Sequence, residues 1–124
     1  MTVDVYDLYH RAQKQLADRD PASAIPLLEQ AAEQLPGDRA VLHLLALAHF
    51  DTADFAAAEV TLRLLVDLDP LDADALHMLG QTLERSGRSP EAGRYLSLAA
   101  GLDPAYSASC ARWGGGSQQP DSTG

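Results

Sequence analysis

An all-α fold built from three repeats of one helix pair is predicted for this 124-residue chain by three observations. Pro36, Pro70 and Pro104 stand 34 residues apart. Small residues recur at the same interval, at Ala12, Ala46 and Gly80 and again at Ala24, Ala58 and Ala92. Leucines do so at Leu8, Leu42 and Leu76, and at Leu28, Leu62 and Leu96. A unit of this length cannot bury its own apolar face, so units in tandem stack into a solenoid. The small residues let helix backbones approach closely, and the leucines supply the burial.

The first helix is expected over Asp4 to Ala17. Asp20-Pro21 opens the second, Pro21 to Leu35, with an N-cap carboxylate before a proline whose missing N–H costs nothing there. Asp38 follows Pro36 by two residues and caps the third, Arg39 to Asp51. Apolar residues in Ala40 to Phe50 exceed one helical stripe, so this helix is buried on more than one face and the second repeat is the middle one. Asp54 opens the fourth, Phe55 to Leu68, and Asp72 the fifth, Ala73 to Ser86. Gly87 then supplies a permissive turn, and Ser89-Pro90 places a cap before the sixth, Pro90 to Leu102.

Both ends differ from the middle. Arg11 and Gln15 occupy the places held by Leu45 and His49, then by Leu79 and Leu83, which gives the first repeat a polar outer face. A short capping helix, Tyr106 to Trp113, with Ser107 as N-cap and Cys110 and Trp113 on one face, is expected to cover the third repeat. Residues 1–113 thus form one domain with repeats at about 4–37, 38–71 and 72–105 and a partial cap at 106–113; the Gly- and Ser-rich stretch 114–124 is expected to be a flexible tail.

In this register the third repeat reads Leu76-x2-Leu79-Gly80-x2-Leu83, Ala92-x3-Leu96 and Pro104. The second reads Leu42-x2-Leu45-Ala46-x2-His49, Ala58-x3-Leu62 and Pro70, and the first Leu8-x2-Arg11-Ala12-x2-Gln15, Ala24-x3-Leu28 and Pro36. The chain resembles the tetratricopeptide repeat family, whose pattern is Trp-x2-Leu-Gly-x2-Tyr, Ala-x3-Phe and Pro. Aromatic positions have become Leu or polar, while size classes and spacing hold over about 100 residues.

The resemblance implies a right-handed α-α superhelix whose first helices line a concave groove for extended or helical segments of other proteins. Its groove positions fall here on Tyr6, Tyr9, Gln13 and Leu16, then His43, Leu44, Leu47, Phe50 and Asp51, then Asp74, His77, Met78, Gln81, Glu84 and Arg85. Leu16, Leu44 and Phe50 fit core packing between first helices equally well, because apolar periodicity does not separate groove from core. The floor is apolar and aromatic with an acidic edge, which suits a hydrophobic partner segment of basic character. Family members that grip the acidic tails of heat-shock chaperones use Lys, Asn, Asn, Lys and Arg at positions held here by Tyr9, Gln13, Leu44, Asp74 and Met78, so the resemblance implies no such carboxylate clamp. His49 falls where the family usually has Tyr between helices, and His10 is expected at the amino-terminal surface.

Composition excludes several classes. The net charge is −9 and no window holds a basic cluster, which argues against nucleic acid and anionic lipid. The amino-terminal stretch lacks the regions of a signal peptide and no run is apolar enough for a membrane span, so a cytoplasmic location is expected. Cys110 is the single cysteine, with no histidine near it in sequence, and is read as structural. His43 and His77 are 34 apart, with Asp74 one turn before His77, but a metal needs three or four converging ligands and the repeat itself explains the spacing. No metal or other cofactor is expected. Asp20, Asp38, Asp54 and Asp72 have helix-start explanations, and neither a catalytic carboxylate pair nor a Gly-rich phosphate loop is present, so no enzyme is expected. The reading is an adaptor or chaperone-like module that binds a partner segment in its groove. Its alternatives are a homodimeric scaffold joined through an incompletely covered end and a protein resembling bacterial secretion chaperones.

Overall fold

Five of six helices begin where a side-chain carboxylate accepts one of their free N–H groups. The structure, a computed structural model, describes residues 4–106: α1 (Val5–Ala17), α2 (Pro21–Gln34), α3 (Arg39–Asp51), α4 (Phe55–Leu68), α5 (Ala73–Arg85), α6 (Ser89–Leu102) and a 3-10 turn, Pro104–Tyr106. Asp4 accepts from the Tyr6 N–H at 3.0 Å, Asp20 from Ser23 at 3.4 Å, Asp38 from Val41 at 3.1 Å, Asp54 from Ala57 at 3.3 Å and Asp72 from Ala75 at 3.1 Å. Such caps are each worth roughly 1 kcal/mol. The exception corrects an expectation. Ser89 is the first residue inside α6 and Arg88 holds the cap position without a side-chain bond, because the 34-residue register sets Arg88 level with Asp20 and Asp54 and moves Pro90 one place into the helix.

The turn inside each repeat is the same device three times over. Arg19, Ala53 and Gly87, spaced by the repeat, adopt φ of 63°, 62° and 82°. The following N–H reaches back five residues, Asp20 to Gln15, Asp54 to His49 and Arg88 to Leu83, at 2.8, 2.8 and 2.9 Å, while the left-handed residue itself donates to the carbonyl three before it. This satisfies carbonyls left free at the helix end. An L side chain in that conformation costs roughly 1–2 kcal/mol, partly offset because glycine loses more entropy on folding. Ala53→Gly is therefore expected to stabilise and Gly87→Ala to destabilise, each by about 1 kcal/mol. Urea midpoints at constant slope are the measurement, and shifts of the same sign would contradict it.

The chain divides between Leu68 and Asp69 into two compact units. In the first, α2 packs against both α1 and α3, and α3 against α4. Its core includes one cluster of Ala12, Ala24, Leu28, Leu45 and Ala48 and another of Leu8, Ala31 and Val41. The second unit is the α5–α6 pair with the 3-10 turn against α6. Every residue of the four periodic sets is buried, as is a fifth set not singled out in the sequence, Ala31, Leu65 and Ala99. Gly80 stands level with Ala12 and Ala46, yet a Cβ there would lie 2.7 Å from the Leu96 side chain, so in the third repeat the two helices meet where only glycine fits.

At the first repeat, Arg11 is exposed and pairs with Asp7 at 3.5 Å. Gln15 departs from the expected polar outer face. It is half-buried and its Oε1 has no hydrogen-bond partner among the described residues, because it is level with the buried His49 and Leu83. Of the expected helix Tyr106–Trp113, Tyr106 ends the 3-10 turn. Ser107, Cys110, Trp113 and residues 114–124 lie outside the described residues. Among the described residues there is no strand, and no helix is long and apolar enough to cross a membrane.

Candidate functional site

The exposed turns of α1 carry two phenols. Tyr6 is 71% exposed, and Tyr9, one turn on, packs against the Leu8, Ala31 and Val41 cluster. Both border a pocket of about 310 Å³ whose walls are Val5, Leu35, Ala40 and Val41, with His10 and Asp38 as its polar groups. The pocket exists because α1 presents Val5 and Tyr9 on the side where the chain turns through Leu35 into the first turn of α3. His10 meets Tyr9 edge to face at 5.9 Å between ring centres, and its Nδ1 lies 3.3 Å from Oε1 of Gln13. Gln13 is exposed and outside the pocket, as are half-buried His43 and Leu47 and exposed Asp51 on α3. Leu16 and Leu44, which the sequence left between groove and core, pack on the core cluster of Ala12, Leu28 and Leu45. Phe50 meets Phe55 of α4 edge to face at 5.5 Å.

In the second unit, α5 carries Asp74, His77, Met78, Gln81 and Glu84, all exposed or half-buried. Here Tyr106 reaches across from the 3-10 turn. Its ring stacks on His77 with centroids 4.3 Å apart and planes 21° apart, and its hydroxyl donates to the Asp74 carboxylate. That hydrogen bond pushes the Tyr106 phenol up to about 12, since losing the proton would leave two negative oxygens facing each other. The sequence reading placed Tyr106 at the start of a capping helix and gave it no role on α5. One signal was present, because Tyr106 stands level with Asp38 and Asp72, the caps of α3 and α5.

His77 is held below its ordinary value of 6.5 because burial penalises the imidazolium, an effect that the Asp74 charge offsets only in part. The sign follows. A histidine whose folded pKa is depressed contributes full stability above about pH 6.5 and loses it as pH falls through the folded value. The stack on Tyr106 is expected to weaken on acidification, so wild type should lose melting temperature more steeply between about pH 7 and pH 5 than His77→Phe, which keeps a ring and removes the titration. Parallel slopes would refute this.

No group of three or more His, Cys, Asp or Glu among the described residues could hold a metal ion.

Comparison with known proteins agrees with this architecture. The tetratricopeptide repeat model matches residues 15–81, and a second model of the same description matches residues 73–106. The chain belongs to the tetratricopeptide repeat family. Among solved structures, the first tetratricopeptide domain of Spaghetti (RPAP3) bound to the HSP90 peptide SRMEEVD superposes with a TM-score of 0.82 at 18% identity, covering 90% of each chain. YrrB, described as a TPR protein with an unusual peptide-binding site, gives 0.79 at 19% identity over 83% of this chain and 53% of that one. A mutant O-GlcNAc transferase of Thermobaculum terrenum gives 0.75 at 27% identity over 86% of this chain. The chain spans 21% of that transferase. These likenesses show the fold, an all-α solenoid of helix-turn-helix repeats. Comparison with curated proteins gave no match.

Proposed function

We propose that this protein is a non-catalytic interaction module that receives extended segments of other proteins on the exposed first-helix faces of its units, α1 and α3 in the first and α5 in the second. The observation that carries the reading is the open apolar pocket beside the exposed Tyr6, backed by a buried core that holds Tyr9 in place. A ring already fixed by packing loses little entropy when a ligand lands on it, and aromatic residues are enriched among residues that dominate binding energy. Two similar folds are described with a bound peptide or a peptide-binding site, which supports the class of ligand. The acidic tail on one of them is not the model for this chain, since Tyr9, Gln13, Leu44, Asp74 and Met78 include no cation. A net charge of −9, with Asp51, Asp74 and Glu84 on these faces, favours a hydrophobic segment of basic character. The protein works in the cytoplasm on this reading.

Selection from a displayed library of natural peptides would supply ligands, and calorimetry would rank them. Replacing one residue in each unit, Tyr6→Ala with Gln81→Ala, is expected to weaken a selected ligand by roughly tenfold or more while helicity and melting stay near wild type. Unchanged affinity in the folded double variant would move the binding surface off the first helices.

A second reading, self-association, has its own observation. Val60, Leu64 and Leu68 form an i, i+4, i+8 ridge on α4 and are 72%, 44% and 46% exposed. Light scattering of wild type against Leu64→Asp tests it, and a monomeric wild type excludes it.

A further inference from the structure

Counting by the repeat sets Asp74 and His77 of α5 level with Tyr6 and Tyr9 of α1, and Tyr106 level with Asp38. In the second unit the chain fills this place with its own phenol, stacked on His77 and bonded to Asp74. In the first unit the residue at the corresponding place is the much shorter Asp38, whose Oδ1 turns back to accept the Val41 N–H at 3.1 Å. The space beside Tyr9 is left as the 310 Å³ pocket. One unit therefore shows, within the same chain, an aromatic ring filling the place that the other leaves open.

We propose that the pocket between Tyr6, Tyr9 and Asp38 is a seat for a tyrosine side chain of a partner protein, its ring lying against Tyr9 and, because Tyr6 stands where the second unit has Asp74, its hydroxyl turned the opposite way from that of Tyr106, donating to the second carboxylate oxygen of Asp38. This inference rests on the preceding reading and names the side chain that anchors the segment. Chemistry selects the phenol from the alternatives. An aliphatic side chain would fill the Val5, Leu35 and Val41 walls but offer no donor to the second oxygen of Asp38, whose first accepts the Val41 N–H. A lysine would satisfy the carboxylate and lay its stem along the walls, but it has no ring to set against Tyr9. A phosphotyrosine would set its charge against Asp38, with Asp4, the cap of α1, and Asp7 flanking Tyr6 in sequence. Tyrosine supplies an apolar body and a polar tip together. Basic neighbours in the segment would complement the same carboxylates.

The probe is the peptide acetyl-Gly-Lys-Tyr-Lys-Gly-amide, titrated into the 124-residue chain with amide shifts followed by NMR. Saturable shifts are expected at Tyr6, Tyr9, Ala40 and Val41. Affinity should fall roughly fivefold for the Phe peptide, which lacks the hydroxyl, and saturable binding should vanish for the Ala peptide. Asp38→Asn, which keeps a good N-cap, should bring the Tyr peptide down to the Phe peptide and leave the latter unchanged. Ala40→Trp, an addition at an exposed position that fills the pocket, should abolish both. Equal shifts from the Ala peptide, or a Tyr-to-Phe difference that survives Asp38→Asn, would overturn the seat. Tyr-dependent shifts confined to His43, Leu47 and Gln81 would overturn it while leaving the first helices as the binding face, whereas the absence of shifts from any peptide on α1, α3 or α5 would remove both. Binding that appears only in Trp113→Ala would assign the pocket to the chain's own tail. Concentration-dependent shifts of the same residues without peptide would assign it to a second copy, and either result would overturn a partner's tyrosine.

Discussion

Leu62→Ala is expected to cost about 2–5 kcal/mol, the largest effect of any single substitution proposed for this protein. Leu62 lies on α4 at the leucine position shared by all three repeats and is fully buried. Truncation there removes apolar surface from the core and leaves a cavity that close-packed neighbours fill only in part. For a domain of this size the melting midpoint should fall by roughly 10 °C or more. Leu64, two residues on, is 44% exposed, and Leu64→Ala is expected to change stability by less than about 0.5 kcal/mol. Calorimetric melts of the two variants decide it. Similar losses at both positions would mean that α4 is buried on the face described as exposed.

Overpacking provides the second large effect. Ala92 is fully buried, and its carbonyl would lie 3.2 Å from a Cβ built on Gly80, so α5 and α6 meet here backbone to backbone. Ala92→Leu must push this seam apart and is expected to cost on the order of 1–3 kcal/mol. The neighbouring Gly93 would meet nothing within 4 Å of an added Cβ. Gly93→Ala gains helix propensity without a clash, by about 1 kcal/mol. Two adjacent residues of one helix should thus respond with opposite signs when enlarged. Equal signs in chemical denaturation would show that the helices do not approach at Gly80.

The helices and their core were legible because one signal was written three times. Asp38 and Asp72 behave alike as caps, Ala24, Ala58 and Ala92 are all fully buried, and a coincidence at one repeat is exposed by the other two. Ser89 is the complementary case: the local Ser-Pro pair points to it as a cap, whereas the register points to Arg88, which holds the position. The binding face was less legible. A first helix has exposed, half-buried and buried positions under the same period, and Leu16 and Leu44 fell to the core because nothing in their spacing distinguishes them from Leu47. Tyr106 and Asp74 meet across 32 residues, through a side chain that breaks the repeat where the other two carry aspartate. Departures from the period, more than the period itself, mark where the repeats differ in what they present.

The pairing of each helix with its neighbour in sequence bears on how the chain is made. The turns closing the α1–α2, α3–α4 and α5–α6 hairpins are short, so their formation costs little loop entropy, and topologies of this kind fold in microseconds to milliseconds. Synthesis is far slower, at roughly 5–20 residues per second. The first hairpin therefore has several seconds on the ribosome before α5 emerges, time enough for α3 and α4 to condense on it. No later segment has to thread past an earlier one. Tyr106, which reaches back to Asp74, is among the last contacts that a nascent chain can close.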